Sequence, residues 1–93
     1  MKNNVIEVFI EKNCRSCEEV LRAIESLVDQ FCLSLHVYDR QMNRDVFLAK
    51  SVMVCPATFV NNRLAFYGSF SSEELSRYIK SQTINHSQQG VKQ

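Results

Sequence analysis

Residues 5–10 read VIEVFI, a β-rich run broken by a single charge. Near-continuous apolar character over so short a stretch belongs to a central strand covered on both faces, so the chain must supply apolar surface above and below it. The apolar positions that follow are Cys17, Val20, Leu21, Ile24, Leu27, Val28 and Phe31. Steps of three, one, three, three, one and three gather on one face only in a helix, and the pattern predicts one helix reaching Phe31. Residues 33–38 (LSLHVY) then alternate, with Leu33, Leu35 and Val37 on one side. Strand, helix and strand in this order predict a parallel βαβ unit with a right-handed crossover.

The second half changes character. Residues 43–50 are weakly periodic and predict a short helix, and MVCPATFVNNRLAFYG (53–68) reads as strand, turn, strand, with Asn61 and Asn62 suited to the positive φ of a two-residue hairpin turn. Ser71 and Glu74 fit a capping box, and Phe70 and Leu75 occupy the two positions of a hydrophobic staple, so a helix is predicted over 72–81. Phe66, Tyr67 and Phe70 are read as core packing, and Met42 and Met53 as gap-fillers. QTINHSQQGVKQ (82–93) offers little to bury and is expected to be a disordered tail, leaving one domain over 1–81. The predicted order is βαβαββα: a four-stranded mixed α/β sheet with helices on both faces.

Ninety-three residues at 45% hydrophobic and 23% charged content suit one core. A net charge of +1, its signs mixed along the chain, gives neither a basic stripe for nucleic acid nor a polybasic run for anionic lipid. The first residues read as a strand rather than a signal peptide, and no segment approaches the roughly 18 apolar residues of a membrane span. A cytoplasmic protein is the expectation, and there a CxxC is more often catalytic or metal-binding than structural.

Cys14 and Cys17 stand three apart where the first strand gives way to the helix. At a helix start, unpaired N–H groups and the positive dipole end favour a thiolate at Cys14. Arg15 adds to that field, and Glu18 and Glu19 oppose it. Lowering a thiol pKa from about 8.5 to about 6.5 raises the thiolate fraction at pH 7 roughly 25-fold and costs about 8-fold in nucleophilicity. The net gain in attack is only about threefold, so the larger benefit is that Cys14 becomes a good leaving group when Cys17, on the apolar face, attacks a mixed disulfide. As a staple, a loop of about four residues yields only roughly 2 kcal/mol. As a metal site, four cysteines fail if the helix runs to Phe31, because Cys32 then lies about 27 Å from Cys14. Cys14, Cys17 and Cys55 with an outside ligand could still take zinc or an iron–sulfur cluster. Cys55 reads first as a small apolar residue at a strand entry, then as a third thiol that tunes the site. His36 and His86 read as structural or solvated, Lys12 as a solvated loop charge or an attractor of an anionic thiol, and residues 52–54 as packing or an apolar groove wall.

Strand VIEVFI, then NCRSC opening a helix, then VMVCPATFVNNRLAFYG and SSEEL together resemble the thioredoxin-like superfamily in its small, glutaredoxin-sized form, over residues 5–80. The resemblance implies a thiol–disulfide oxidoreductase and electron carrier in which Cys14 attacks and Cys17 resolves. It further implies a cis Pro56 beside the CxxC, with the backbone before it, Cys55 and Val54 included, pairing with an extended peptide substrate. Lys12 and Arg15 would complete the substrate-binding set. Substrates would be disulfide-containing proteins or small thiols, with a reductase, another dithiol or glutathione as electron donor. No metal or resident cofactor is implied, and a monomer is expected. The sequence departs from the family in its Arg15-Ser16 dipeptide, neither Gly-Pro nor Pro-Tyr, in Val8 where thioredoxins carry a buried acid, and in a single Gly68. Redox poise is therefore not carried over. The rival expectation is a thioredoxin-like binding module whose cysteines do not turn over.

Overall fold

The computed structural model describes residues 4–92, with side chains over 4–82. Strand β1 (Asn4–Ile10) is central in a four-stranded sheet of order β2-β1-β3-β4, with β2 at Leu33–Asp39, β3 at Ala57–Val60 and β4 at Arg63–Tyr67. β1 pairs parallel with β2 and antiparallel with β3, and β3 and β4 form an antiparallel hairpin. The helices are α1 (Arg15–Glu25), α2 (Val28–Phe31), α3 (Arg44–Ala49) and α4 (Ser72–Lys92).

Covering both faces of β1 explains the continuous apolar run. Ile6 and Val8 point to one face, where they join Val20 and Ile24 of α1 and Leu75 and Ile79 of α4. Phe9 points to the other, where it packs with Phe47 of α3, Val52, Ala57 and Phe59. On that second face the one charge in the run, Glu7, lies 3.4 Å from Lys50 Nζ. Lys50 also contacts Asn62 Oδ1 and sits over the Phe59 ring. The result is the expected mixed sheet with helices on both faces.

The first helix is not single. Ser26 Oγ donates back to Ala23 O at 2.7 Å, and Leu27 N–H bonds Ile24 O, so the ladder tightens and the chain turns before α2 begins. Leu27, Val28 and Phe31 still reach the core, and for that reason periodicity could not distinguish a bent helix from a straight one. Cys32 closes α2 in the left-handed region at φ 53°.

Two further expectations shift. Residues 53–56 are not strand, with a bend over 54–56, because β3 starts only at Ala57, after a proline with no N–H to give a ladder. Tyr67, read as core, is 54% exposed on the outer side of edge strand β4, and Met42 and Met53 are exposed rather than gap-filling. Phe66 does pack, stacking on Phe70 with ring centroids 4.3 Å apart.

The hairpin turn is as the sequence predicts: Asn61 and Asn62 have φ of 50° and 72°, and the Asn61 side chain accepts from Val5 N–H at 2.9 Å. The capping box of α4 is complete, with Glu74 N–H to Ser71 Oγ at 3.1 Å and Ser71 N–H to Glu74 Oε1 at 2.8 Å. Ser71→Ala is expected to cost about 1 kcal/mol, read as a lower urea midpoint with an unchanged slope. No loss of stability would mean that water replaces the cap. α4 continues beyond the 72–81 expected. Of the anticipated tail over 82–93, Gln82 donates to Tyr78 Oη at 3.0 Å, and 83–93 lie outside the residues whose side chains are described.

Candidate active site

The strand register fixes one end of the sheet as a meeting point. Ile10 lies beside Asp39 across the parallel pair, and Phe9 lies beside Ala57 across the antiparallel pair. The turn leaving β1, the turn leaving β2 and the bend entering β3 therefore emerge together. Ligand-binding loops of open α/β sheets gather at such carboxyl ends.

From β1 the chain turns through Asn13, at φ 55°, into Cys14, which is the N-cap of α1 with extended backbone. Cys14 Sγ accepts from Cys17 N–H at 3.1 Å, the bond a capping Ser or Asp would make. Cys14 and Cys17 form a disulfide with Cα atoms 5.2 Å apart, an ordinary span for such a bond. Helical pitch makes the two sulfurs unequal. Cys14 is half-exposed at the tip, and Cys17, one turn in, is 2% exposed on the face that continues into Val20 and Ile24. Such a pair has one sulfur open to a reaction partner and one sheltered behind it.

Across the end of the sheet, the Cys55–Pro56 peptide bond is cis and Pro56 is buried. Pro56 O accepts from Gly68 N–H at 2.8 Å, extending the β3–β4 pairing by one step. Gly68 makes that bond at φ +81°, a conformation strained for any residue with a Cβ. Val54, 57% exposed, and Met53, 79% exposed, form an apolar rim in front of Cys55.

Arg40, which the sequence did not single out, ties these segments together. Its Nε donates to Glu11 Oε1 at 2.8 Å, and its Nη2 donates to Met53 O at 3.1 Å and lies 3.4 Å from Cys55 Sγ. The only sequence signal was an Asp39-Arg40 pair at a strand end, which says nothing of partners 29 residues back or 15 ahead. The Glu11 hydrogen bond outweighs desolvation and pushes the Arg40 pKa up. Burial pushes the Cys55 thiol up, with Glu11 and Asp39 adding and the Arg40 guanidinium opposing. Burial thus disfavours the Cys55 thiolate.

Of the residues expected at the site, Cys14 and Cys17 are bonded to one another, and Val54, Cys55 and Pro56 share the opposing bend. Lys12 and Arg15 are exposed on either side of Cys14 in the chain and form no ion pair among the described residues. Cys32 is exposed and precedes Leu33, which pairs with Asn4 at the opposite end of the sheet. His36 is exposed on edge strand β2, and the His86 side chain lies outside the described residues. Among the described residues no group of three His, Cys, Asp or Glu side chains is arranged to hold a metal ion, and no helix is long and apolar enough to cross a membrane.

The sequence matches the family model for the thioredoxin domain over residues 4–80. The chain belongs to the thioredoxin-domain family. Among solved structures, this thioredoxin domain is similar to one described as thioredoxin-2, a component of the malaria parasite protein secretion machinery. The identity is 22%, the match covers 87% of this chain and 85% of that one, and the TM-score is 0.75. It is also similar to a malarial protein at 21% identity, covering 86% of this chain and 97% of that one, with a TM-score of 0.76. Both likenesses are of fold. No curated protein sequence gives a significant match.

Proposed function

We propose that this protein is a small thiol–disulfide oxidoreductase. The observation that carries the reading is the inequality of its bonded pair: Cys14 half-exposed at the helix cap, Cys17 buried one turn behind. In the reduced protein the Cys17 N–H and the α1 dipole favour a thiolate at Cys14. That thiolate attacks one sulfur of a substrate disulfide, the S–S bond breaks, and the other substrate sulfur leaves as a thiolate that takes up a proton. Cys17, once deprotonated, attacks Cys14 Sγ and expels the second substrate thiolate. Two electrons have then passed to the substrate and the Cys14–Cys17 disulfide has formed.

The substrate would be a disulfide-bearing protein or a small disulfide, resting on the Val54–Cys55–Pro56 bend, with Lys12 and Arg15 flanking. An external dithiol, a reductase or glutathione would return the two electrons. The proposal places the protein in the cytoplasm as a monomer without a resident cofactor. The exposed apolar Met53 and Val54 beside Pro56 also suit a module that only binds a partner, and the two readings differ in ionisation and turnover.

The experiment is alkylation of reduced Cys14 across pH, with dithiothreitol-driven reduction of insulin beside it. The oxidoreductase reading expects a midpoint for Cys14 well below that of free cysteine and multiple turnovers. An ordinary midpoint of about 8.5 with no turnover would leave the binding module.

A further inference from the structure

The Arg40 guanidinium reaches both walls of the site at once. Its backbone N–H bonds Ile10 O at 3.0 Å, fixing where the side chain starts. From there the fork meets Glu11, three residues before Cys14, and Met53 O and Cys55 Sγ, immediately before Pro56. The ring of buried Phe47 lies 5.1 Å below the guanidinium carbon and limits where the fork can swing. The other ion pair among the described residues, Lys50 with Glu7, spans neither loop.

We propose that Arg40 is a positioning residue that sets the spacing between the CxxC turn and the Cys55–Pro56 bend, and so determines how well a protein disulfide seats across the two. The inference rests on the oxidoreductase reading and adds to it. Arg40 and Glu11 side chains are 38% and 42% exposed, so their pair contributes little to global stability. Three partners on two separate segments, met through two nitrogens of one fork, are a geometric device rather than a stability device. Lysine would keep the charge but not the planar fork, and could satisfy only part of the set.

The test compares the full chain with Arg40→Met, Arg40→Lys and Glu11→Gln, with dithiothreitol as donor. Two substrates are used: insulin, which must lie across both walls, and uncharged bis(2-hydroxyethyl) disulfide, which needs only Cys14. Arg40→Met is expected to raise KM for insulin about fivefold, with kcat and the small-disulfide KM each within about twofold. Arg40→Lys should leave most of that defect, and Glu11→Gln should shift KM in the same direction by less.

A second reading does not need turnover. With Cys14, Cys17 and Cys32 replaced by serine, Arg40→Met should move the alkylation midpoint of Cys55 upward, because the cation opposing Glu11, Asp39 and burial is gone. An active protein whose insulin KM is untouched by Arg40→Met would overturn the proposal and leave the oxidoreductase reading standing. If Arg40→Met does not fold, an unchanged KM in Glu11→Gln overturns it instead. Wild-type protein inactive on both substrates would remove the oxidoreductase reading, and this proposal with it.

Discussion

Cys14→Ser is expected to abolish disulfide turnover, lowering the rate by about a thousandfold or more, because the thiolate is the attacking species and a serine hydroxyl does not ionise in the working range. The fold should survive the change. Cys14 sits at a helix N-cap and its sulfur accepts the Cys17 N–H, a role serine fills at least as well. Cys17→Ser should fail differently. Cys14 still attacks, but nothing behind it resolves the mixed disulfide, so the chain releases about one equivalent of product thiol and then stops. The measurement is product thiol per chain together with the intact mass, which should show substrate attached at Cys14. If Cys14→Ser kept the wild-type rate, the reacting sulfur would be Cys17, Cys55 or Cys32. The structure argues against all three. Cys17 is 2% exposed, burial pushes the Cys55 thiol up and disfavours its thiolate, and Cys32 lies at the opposite end of the sheet.

The largest expected loss of stability is at Phe9, which is fully buried where β1 meets the α3 face. Its ring lies 5.1 Å from Tyr38, 5.0 Å from Phe47 and 5.4 Å from Phe59, so it holds together residues from β2, α3 and β3. Phe9→Ala removes that packing and leaves a cavity with walls fixed on three sides. The expected cost is about 3–5 kcal/mol. A chain of 93 residues has roughly 5–14 kcal/mol in total, so the variant should be marginal at 25 °C. Urea unfolding followed by far-UV circular dichroism reads it directly. A cost below about 1 kcal/mol would mean that the α3 face collapses around the gap and is far softer than its packing indicates.

Legibility in the sequence followed the range of the interaction. β1, β2, the Asn61-Asn62 turn and the Ser71/Glu74 box are each decided by neighbours within a few residues, and each was readable. The break at Ser26 was not, because the side-chain bond that causes it leaves the apolar spacing of Leu27, Val28 and Phe31 intact. Tyr67 looked like core because aromatic residues usually are, and only the strand order, which puts β4 at the edge, exposes it. At the site, Cys14 and Cys17 declared themselves by spacing, since one helical turn separates them. Arg40 could not, because its partners are distant in the chain and meet only when β1, β2 and the bend before β3 reach the same end of the sheet.

The central claim is that Cys14 and Cys17 form a reversible dithiol–disulfide couple. It is tested most directly by equilibrating the folded protein with glutathione buffers of stepped oxidised-to-reduced ratio, quenching with an alkylating agent and counting labelled cysteines by mass. The account predicts that the Cys14 and Cys17 labels disappear together in one two-electron transition while Cys32 and Cys55 keep theirs. Retention of both Cys14 and Cys17 labels in the most oxidising buffer, with the chain still folded, would contradict it.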